Sequence, residues 1–202
     1  MLKVGITGGI GTGKTTVCKL FTEHYNIPVY YADRRAKHLM NFNSEVKDKI
    51  KTLLGSNVYH KNGKLNRQKV ASIVFKQKEL LTGLNKIVHP AVQIDGDQWF
   101  NSLNKKYPYA IKEAALLYES KSHKSLDKII VVHVQDEIRI KRVMKRDNSL
   151  RSQVIDRINN QIPQEKKMKK ADFLLENDTR KHLIKQIADL HLELLHLSKS
   201  KN

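Results

Sequence analysis

The residues Gly8-Gly9-Ile10-Gly11-Thr12-Gly13-Lys14-Thr15 follow the spacing G-x-x-x-x-G-K-S/T. Such a loop can do one kind of chemistry well. Its glycines let the backbone curl until successive N–H groups face phosphate oxygens. If a helix opens at Lys14, its N-terminus adds the positive end of the helix dipole. Lys14 would then reach the β- and γ-phosphates of ATP, and the Thr15 hydroxyl would sit on Mg²⁺. Gly11, Thr12, Gly13, Lys14, Thr15 and Thr16 form the expected nucleotide cradle. A ligand-free strand-to-helix turn would leave the Lys-Thr pair without a purpose.

Two further groups could act on that phosphate. Asp33 closes the apolar run Val29-Tyr30-Tyr31-Ala32. At the carboxyl end of a parallel strand it could accept the proton of an acceptor hydroxyl. It could equally cap a helix beginning at Arg34. Arg139, Arg142 and Arg146 are spaced i, i+3 and i+7, which gathers them on one helical face. Like charges so placed destabilise a helix unless something anionic compensates them. Residues 139–170 hold 11 Lys and Arg against 3 Asp and Glu. Such a surplus suits either a solvated face or a lid that closes on ATP.

The elements needed to position these groups are visible in the pattern. Leu2–Thr7 reads as a buried strand, residues 14–25 as a helix with Val17, Leu20 and Phe21 on one face, and residues 28–33 as a second strand. Residues 34–104 read as mostly helical, with starts or breaks at Ser44, Asn66 and the His89-Pro90 pair. Strands are expected at 109–116, 128–134 and 173–175. Helices are expected at 136–146, up to Gln161, and at 179–197, with a frayed tail from Ser198. Alternating strands and helices predict an α/β fold with a parallel sheet of five strands flanked by helices.

Composition narrows the partners. The chain has 202 residues and a formal net charge of +18, which favours polyanionic ligands. Aromatic residues are 6% of the chain and show no basic-aromatic platform, which argues against nucleic acid as the ligand. No apolar run is long enough to span a membrane, so no membrane partner is expected. The nine histidines show no spacing for a protein-bound metal, and the single cysteine, Cys18, fits a reducing cytoplasm. The guanine-reading N-K-x-D and the D-x-x-G of GTPases are absent. A small-molecule P-loop kinase remains.

Further stretches are similar to one family of such kinases. The opening Val4 to Thr16 resembles that of dephospho-coenzyme A kinases, as do Ala32-Asp33 and Gly63-Lys64-Leu65-Asn66-Arg67 before Ile73-Val74-Phe75. His89-Pro90, Leu116-Leu117-Tyr118-Glu119, Arg139 and Arg142 before Arg146-Asp147, then Arg157, Gln161, Ala171-Asp172 and Asn177 continue the resemblance in order. The family usually has Pro where Ala115 stands, and often a Gly near Asn148-Ser149. The resemblance implies ATP-dependent phosphorylation of the ribose 3′-hydroxyl of dephospho-coenzyme A, the last step of coenzyme A synthesis. It implies a nucleotide core (1–33, 107–138 and 171–202), a helical acceptor-binding region (about 34–106) and a helical lid (about 139–170). Asp33 becomes the expected base, with Lys14 and Arg142 on the ATP phosphates and Asn177 near the adenine. The acceptor side would comprise Thr7, Asp33, Arg67 and His89. Another small-molecule kinase, acting on a nucleoside, nucleotide or hydroxy acid, is the alternative.

Overall fold

A computed structural model describes residues 1–74, 76–103 and 106–200. The chain opens with β1 (Leu2–Thr7) and α1 (Lys14–Tyr25), as the glycine-bounded pattern predicts. α1 stops where Asn26 adopts φ 53° and its N–H returns to the carbonyls of Phe21 and Thr22. β2 spans only Val29–Tyr31, and α2 (Ala32–Phe42) begins with no intervening residue. Asp33 is therefore not the last residue of a strand. It lies in the first turn of α2, where the helix dipole favours a carboxylate.

α3 (Ser44–Leu54) is capped by Asn43, whose side chain accepts from Val46 N–H, and α4 (Arg67–Val74) by Asn66, which accepts from Lys69 N–H. Phe75 lies outside the described residues. α5 (Lys78–Ser102) runs straight through His89-Pro90, where a break is expected. Proline removes one helical hydrogen bond and costs ~3 kcal/mol. Here Leu80, Leu81, Leu84, Ile87, Val88, Ala91 and Val92 pack into one cluster with Val46, Ile50, Val70 and Val74. Anchored on both sides of Pro90, the helix continues.

β3 (Tyr109–Glu113) is shorter than expected, since the chain turns at Ala115. β4 (Lys128–His133) leads into α6 (Asp136–Asp147), α7 (Arg151–Asn159) and the short α8 (Gln164–Met168). α6 ends on Asn148 at φ 49°, so asparagine takes the left-handed turn that a glycine would otherwise serve. β5 (Phe173–Glu176) and α9 (Arg180–Ser200) complete the described chain. Fraying is expected from Ser198, but α9 stays helical to Ser200, with the buried Ser198 hydroxyl donating to the Leu195 carbonyl at 2.7 Å; Lys201 and Asn202 lie outside the described residues.

The sheet is parallel throughout, in the order β2-β3-β1-β4-β5. Ile6 pairs in register with Glu113, the last residue of β3, and with Ile130, so β3 ends one residue short of Thr7 and β4 runs two residues beyond it. All five residues of β3 are buried, as expected of a strand covered on both faces. Val4 and Ile6 share a core with Val17, Leu20 and Phe21 of α1 and with Leu183, Ile187, Leu190 and Leu194 of α9. The chain divides into two compact units, Met1–Tyr31 with Phe100–Asn202, and Ala32–Trp99.

Candidate active site

Between β1 and α1 the backbone makes the turn that only glycine enters cheaply. Gly11 and Gly13 have φ 82° and 90°. A Cβ on Gly13 would lie 1.9 Å from Asn177 Nδ2, and one on Gly11 would lie 2.5 Å from the Arg139 carbonyl oxygen. The loop is thus pressed closely by α6 and by the residue after β5. The Thr12 hydroxyl donates to Gly9 O at 3.0 Å, closing the curl from inside.

Lys14 is buried, and its ammonium donates to the Gly8 and Gly9 carbonyls at 3.0 and 3.2 Å, spanning the loop. Thr15 and Thr16 are exposed in the first turn of α1. Behind the helix, burial pushes the Cys18 thiol well above its ordinary pKa. Glu113 adds to that rise and Lys14 opposes it. The shift favours the neutral thiol, and both Glu113 and Lys14 lie close enough to act on it.

α6 brings its arginines over the loop, but not all three. Arg139 is buried and claimed by Asp136 at 2.9 Å. Arg142 donates through Nη2 to the Asn177 carbonyl at 2.9 Å, while its Nη1 is buried without a partner among the described residues. Arg146 is exposed and bonds Asp147. The anionic compensation expected for this face is thus supplied by the chain for Arg139 and Arg146. Asn177 donates its side-chain amide to Thr12 O at 2.8 Å, so it buttresses the phosphate loop directly.

Residues after α7 also reach the loop. Gln161 Oε1 accepts from Ile10 N–H at 3.0 Å. Gln164 Nε2 donates to Val134 O at 3.1 Å. Lys167 is fully buried and donates to Glu119 Oε1 at 2.8 Å and Ala115 O at 3.2 Å. Thr7, also buried, donates its hydroxyl to the same Ala115 carbonyl at 3.4 Å.

The residues present suit a nucleotide with a hard cation. The glycine cradle has no room for side chains. Arg142 holds a buried donor beside it with no partner among the described residues, and the exposed Thr15 hydroxyl is the kind of oxygen ligand that Mg²⁺ takes.

A family model for dephospho-CoA kinase matches residues 2–182. The chain belongs to the dephospho-CoA kinase family. It is 38% identical to a dephospho-CoA kinase of Bacillus cereus over 183 residues, 87% of this chain and 88% of the relative. Its fold superposes on the Thermus thermophilus protein TT1252 with a TM-score of 0.84 and 30% identity, covering 95% of this chain and 96% of that one. A dephospho-CoA kinase from Campylobacter jejuni gives 0.72 and 26%, with 99% and 98% covered. Family membership makes this chain a P-loop kinase that uses ATP.

The other sequence-derived site residues lie in the second unit. Asp33 is exposed in α2, Arg67 is the exposed first residue of α4, and His89 is half-buried in α5. Burial lowers the His89 pKa, which favours the neutral ring at neutral pH. Sequence reasoning missed Glu113, Gln164 and Lys167. Glu113 had a signal, a carboxylate closing an apolar strand. Lys167 had none, because the run Lys166-Lys167-Met168-Lys169-Lys170 reads as a solvated face. Among the described residues Glu176, Asp178 and His182 come within 4.8 Å of one another, but His182 and Asp178 spend ligand atoms on a mutual 3.0 Å contact.

Proposed function

We propose that this chain transfers the γ-phosphoryl group of ATP to the ribose 3′-hydroxyl of dephospho-coenzyme A, giving coenzyme A in the last step of its biosynthesis. The observation that carries this reading is the family match over residues 2–182, which spans both compact units and not the phosphate loop alone.

The residues divide the work as follows. Backbone amides from Gly11 to Thr16 cradle the ATP phosphates, and Lys14 leaves its loop carbonyls to meet the β- and γ-oxygens. Arg142 turns its unpartnered Nη1 to the phosphates, and Asn177 keeps the loop in shape below the nucleotide. Mg²⁺, held by Thr15, would supply charge neutralisation. Asp33 accepts the proton as the ribose oxygen bonds to phosphorus and the bridging oxygen leaves with ADP. The chain leaves β2 at Tyr31, in register with Glu113, two residues before this carboxylate. Arg67 and His89, with Thr7 behind the loop, serve the acceptor side. On this reading residues 34–106 bind the acceptor, 139–170 form the lid, and the remainder is the nucleotide core. Among the described residues no helix is long and apolar enough to cross a membrane, and a lone buried thiol fits a reducing cytoplasm.

The test is turnover with ATP and Mg²⁺ on dephospho-coenzyme A beside nucleosides, nucleotides and hydroxy acids, with products identified by mass. Coenzyme A as the sole phosphorylated product is expected. Preferential turnover of another acceptor would replace the reading.

A further inference from the structure

Four buried polar side-chain atoms lack a hydrogen-bond partner among the described residues: Glu119 Oε2, His123 Nδ1, Arg142 Nη1 and Gln164 Oε1. Folded interiors leave few such atoms, so their grouping carries information. Arg142 and Gln164 border the phosphate loop, with Gln164 Oε1 3.5 Å from where a Gly9 Cβ would lie. Glu119 accepts the Ile162 N–H at 3.1 Å. Three of the four thus belong to the seam along which residues 142–167 meet the loop and the turn after β3.

Gln161 sits in that seam, one residue before Ile162. Its carbonyl takes the N–H of Ile10, the third residue of the phosphate motif. An amide has one hydrogen to give, so this one is spent on the lid, and phosphate is left to the amides further along the loop. The backbone that presents Gln161 is itself held. Ile162 N–H is fixed by Glu119, whose carboxylate is paired with the fully buried Lys167 and leaves one oxygen without a partner. Breaking a buried pair by removing one member is costly, so the anchor is stiff.

We propose that Gln161 is a positioning residue for phosphoryl transfer: its side-chain carbonyl pins the lid to Ile10 of the phosphate loop, and the Glu119–Lys167 pair holds it there. The inference rests on the kinase reading above. A seated lid keeps water from the γ-phosphoryl group. When the pin is lost, a water oxygen can bond to the γ-phosphorus while the bridging oxygen leaves with ADP, releasing inorganic phosphate instead of product.

The test is the ratio of ADP formed to coenzyme A formed in the full-length enzyme and in Gln161→Met and Gln161→Glu. Methionine keeps the length and removes the acceptor, whereas glutamate keeps an acceptor for the Ile10 N–H. The wild-type ratio should be near one. The methionine variant should exceed about two, with kcat for coenzyme A down ~5- to 10-fold, the scale of one net hydrogen bond, and KM for ATP within about threefold. The glutamate variant should stay near one while KM for ATP rises, because it sets a negative charge beside the phosphate loop. Hydrogen exchange at the Ile10 amide should quicken in the methionine variant alone, a readout independent of turnover. An unchanged ratio in the methionine variant, whatever its kcat, overturns the proposal. So does equal uncoupling in both variants, or unaltered Ile10 exchange. A wild-type enzyme that makes no coenzyme A overturns the functional reading first, before any variant is compared.

Discussion

Substituting Gly13 by alanine tests the phosphate loop through a single carbon atom. At φ 90° an alanine sits in the left-handed region, which costs about 1–2 kcal/mol. Its Cβ would lie 1.9 Å from Asn177 Nδ2. An ordinary contact is about 3.5 Å, so the amide must retreat by roughly 1.5 Å and lose its 2.8 Å bond to Thr12 O. Leaving that buried donor unpaired costs a further ~1–3 kcal/mol. The sum is about 2–5 kcal/mol, which at ~2–4 °C per kcal/mol lowers Tm by ~4–20 °C in a chain of this length. Differential scanning fluorimetry gives the shift, and a double-mutant cycle with Asn177→Ala separates its causes. Alanine at 177 removes the obstructing amide, so the double variant should be more stable than the two single losses predict. Additivity within about 0.5 kcal/mol would refute the clash, and a Tm within ~2 °C of wild type would refute the strain as well.

Asp33→Asn should lower kcat by ~10²-fold with ATP affinity nearly unchanged, measured by steady-state kinetics beside nucleotide titration, since a general base acts on the acceptor alone. Near-normal turnover would remove Asp33 from that role. Lys14→Ala should weaken ATP binding and slow transfer together, because it deletes both the loop brace and the phosphate contact; normal kinetics would discard the loop assignment. Stability should fall on both sides of neutrality. Burial lowers the His89 and His191 pKa below the ordinary 6.5, so the unfolded chain binds their protons more tightly and Tm drops as pH falls through 6.5. Burial pushes Tyr59 and Tyr118 from 10.0 to about 12, so the folded chain holds those protons more tightly and stability is lost as pH rises from 10 towards 12. A Tm profile flat from pH 7 to pH 5.5 would contradict the histidine argument.

Where glycines and periodicity mark an element on both sides, its limits were legible. β1 and α1 fall on the expected residues because the phosphate motif punctuates them. Local rules failed where tertiary packing outweighed them. Pro90 reads as a break, yet apolar residues on both sides bind α5 to its cluster. α8, at five residues, is too short to show a period. The arginines of α6 could be placed on one face, but not their partners. Asp136 and Asp147 absorb Arg139 and Arg146, and only geometry reveals that Arg142 keeps a donor in reserve. Lys167 was illegible for the same reason: its carboxylate partner lies 48 positions earlier in the chain, beyond any local pattern.

The sheet order has a consequence for how the chain is made. β1 lies at the centre of the sheet, but its neighbours β3 and β4 are translated more than 100 residues later. The helix that completes the core around Val4 and Ile6, α9, follows every strand. Until α9 leaves the ribosome, the cluster around β1 and α1 lacks Leu183, Ile187, Leu190 and Leu194, whereas the Ala32–Trp99 unit already holds its own cluster. Synthesis should therefore produce a folded middle flanked by an unfinished nucleotide core, a stage open to chaperones and proteases. The price of a central first strand is that the ATP site is the last part of the molecule to exist.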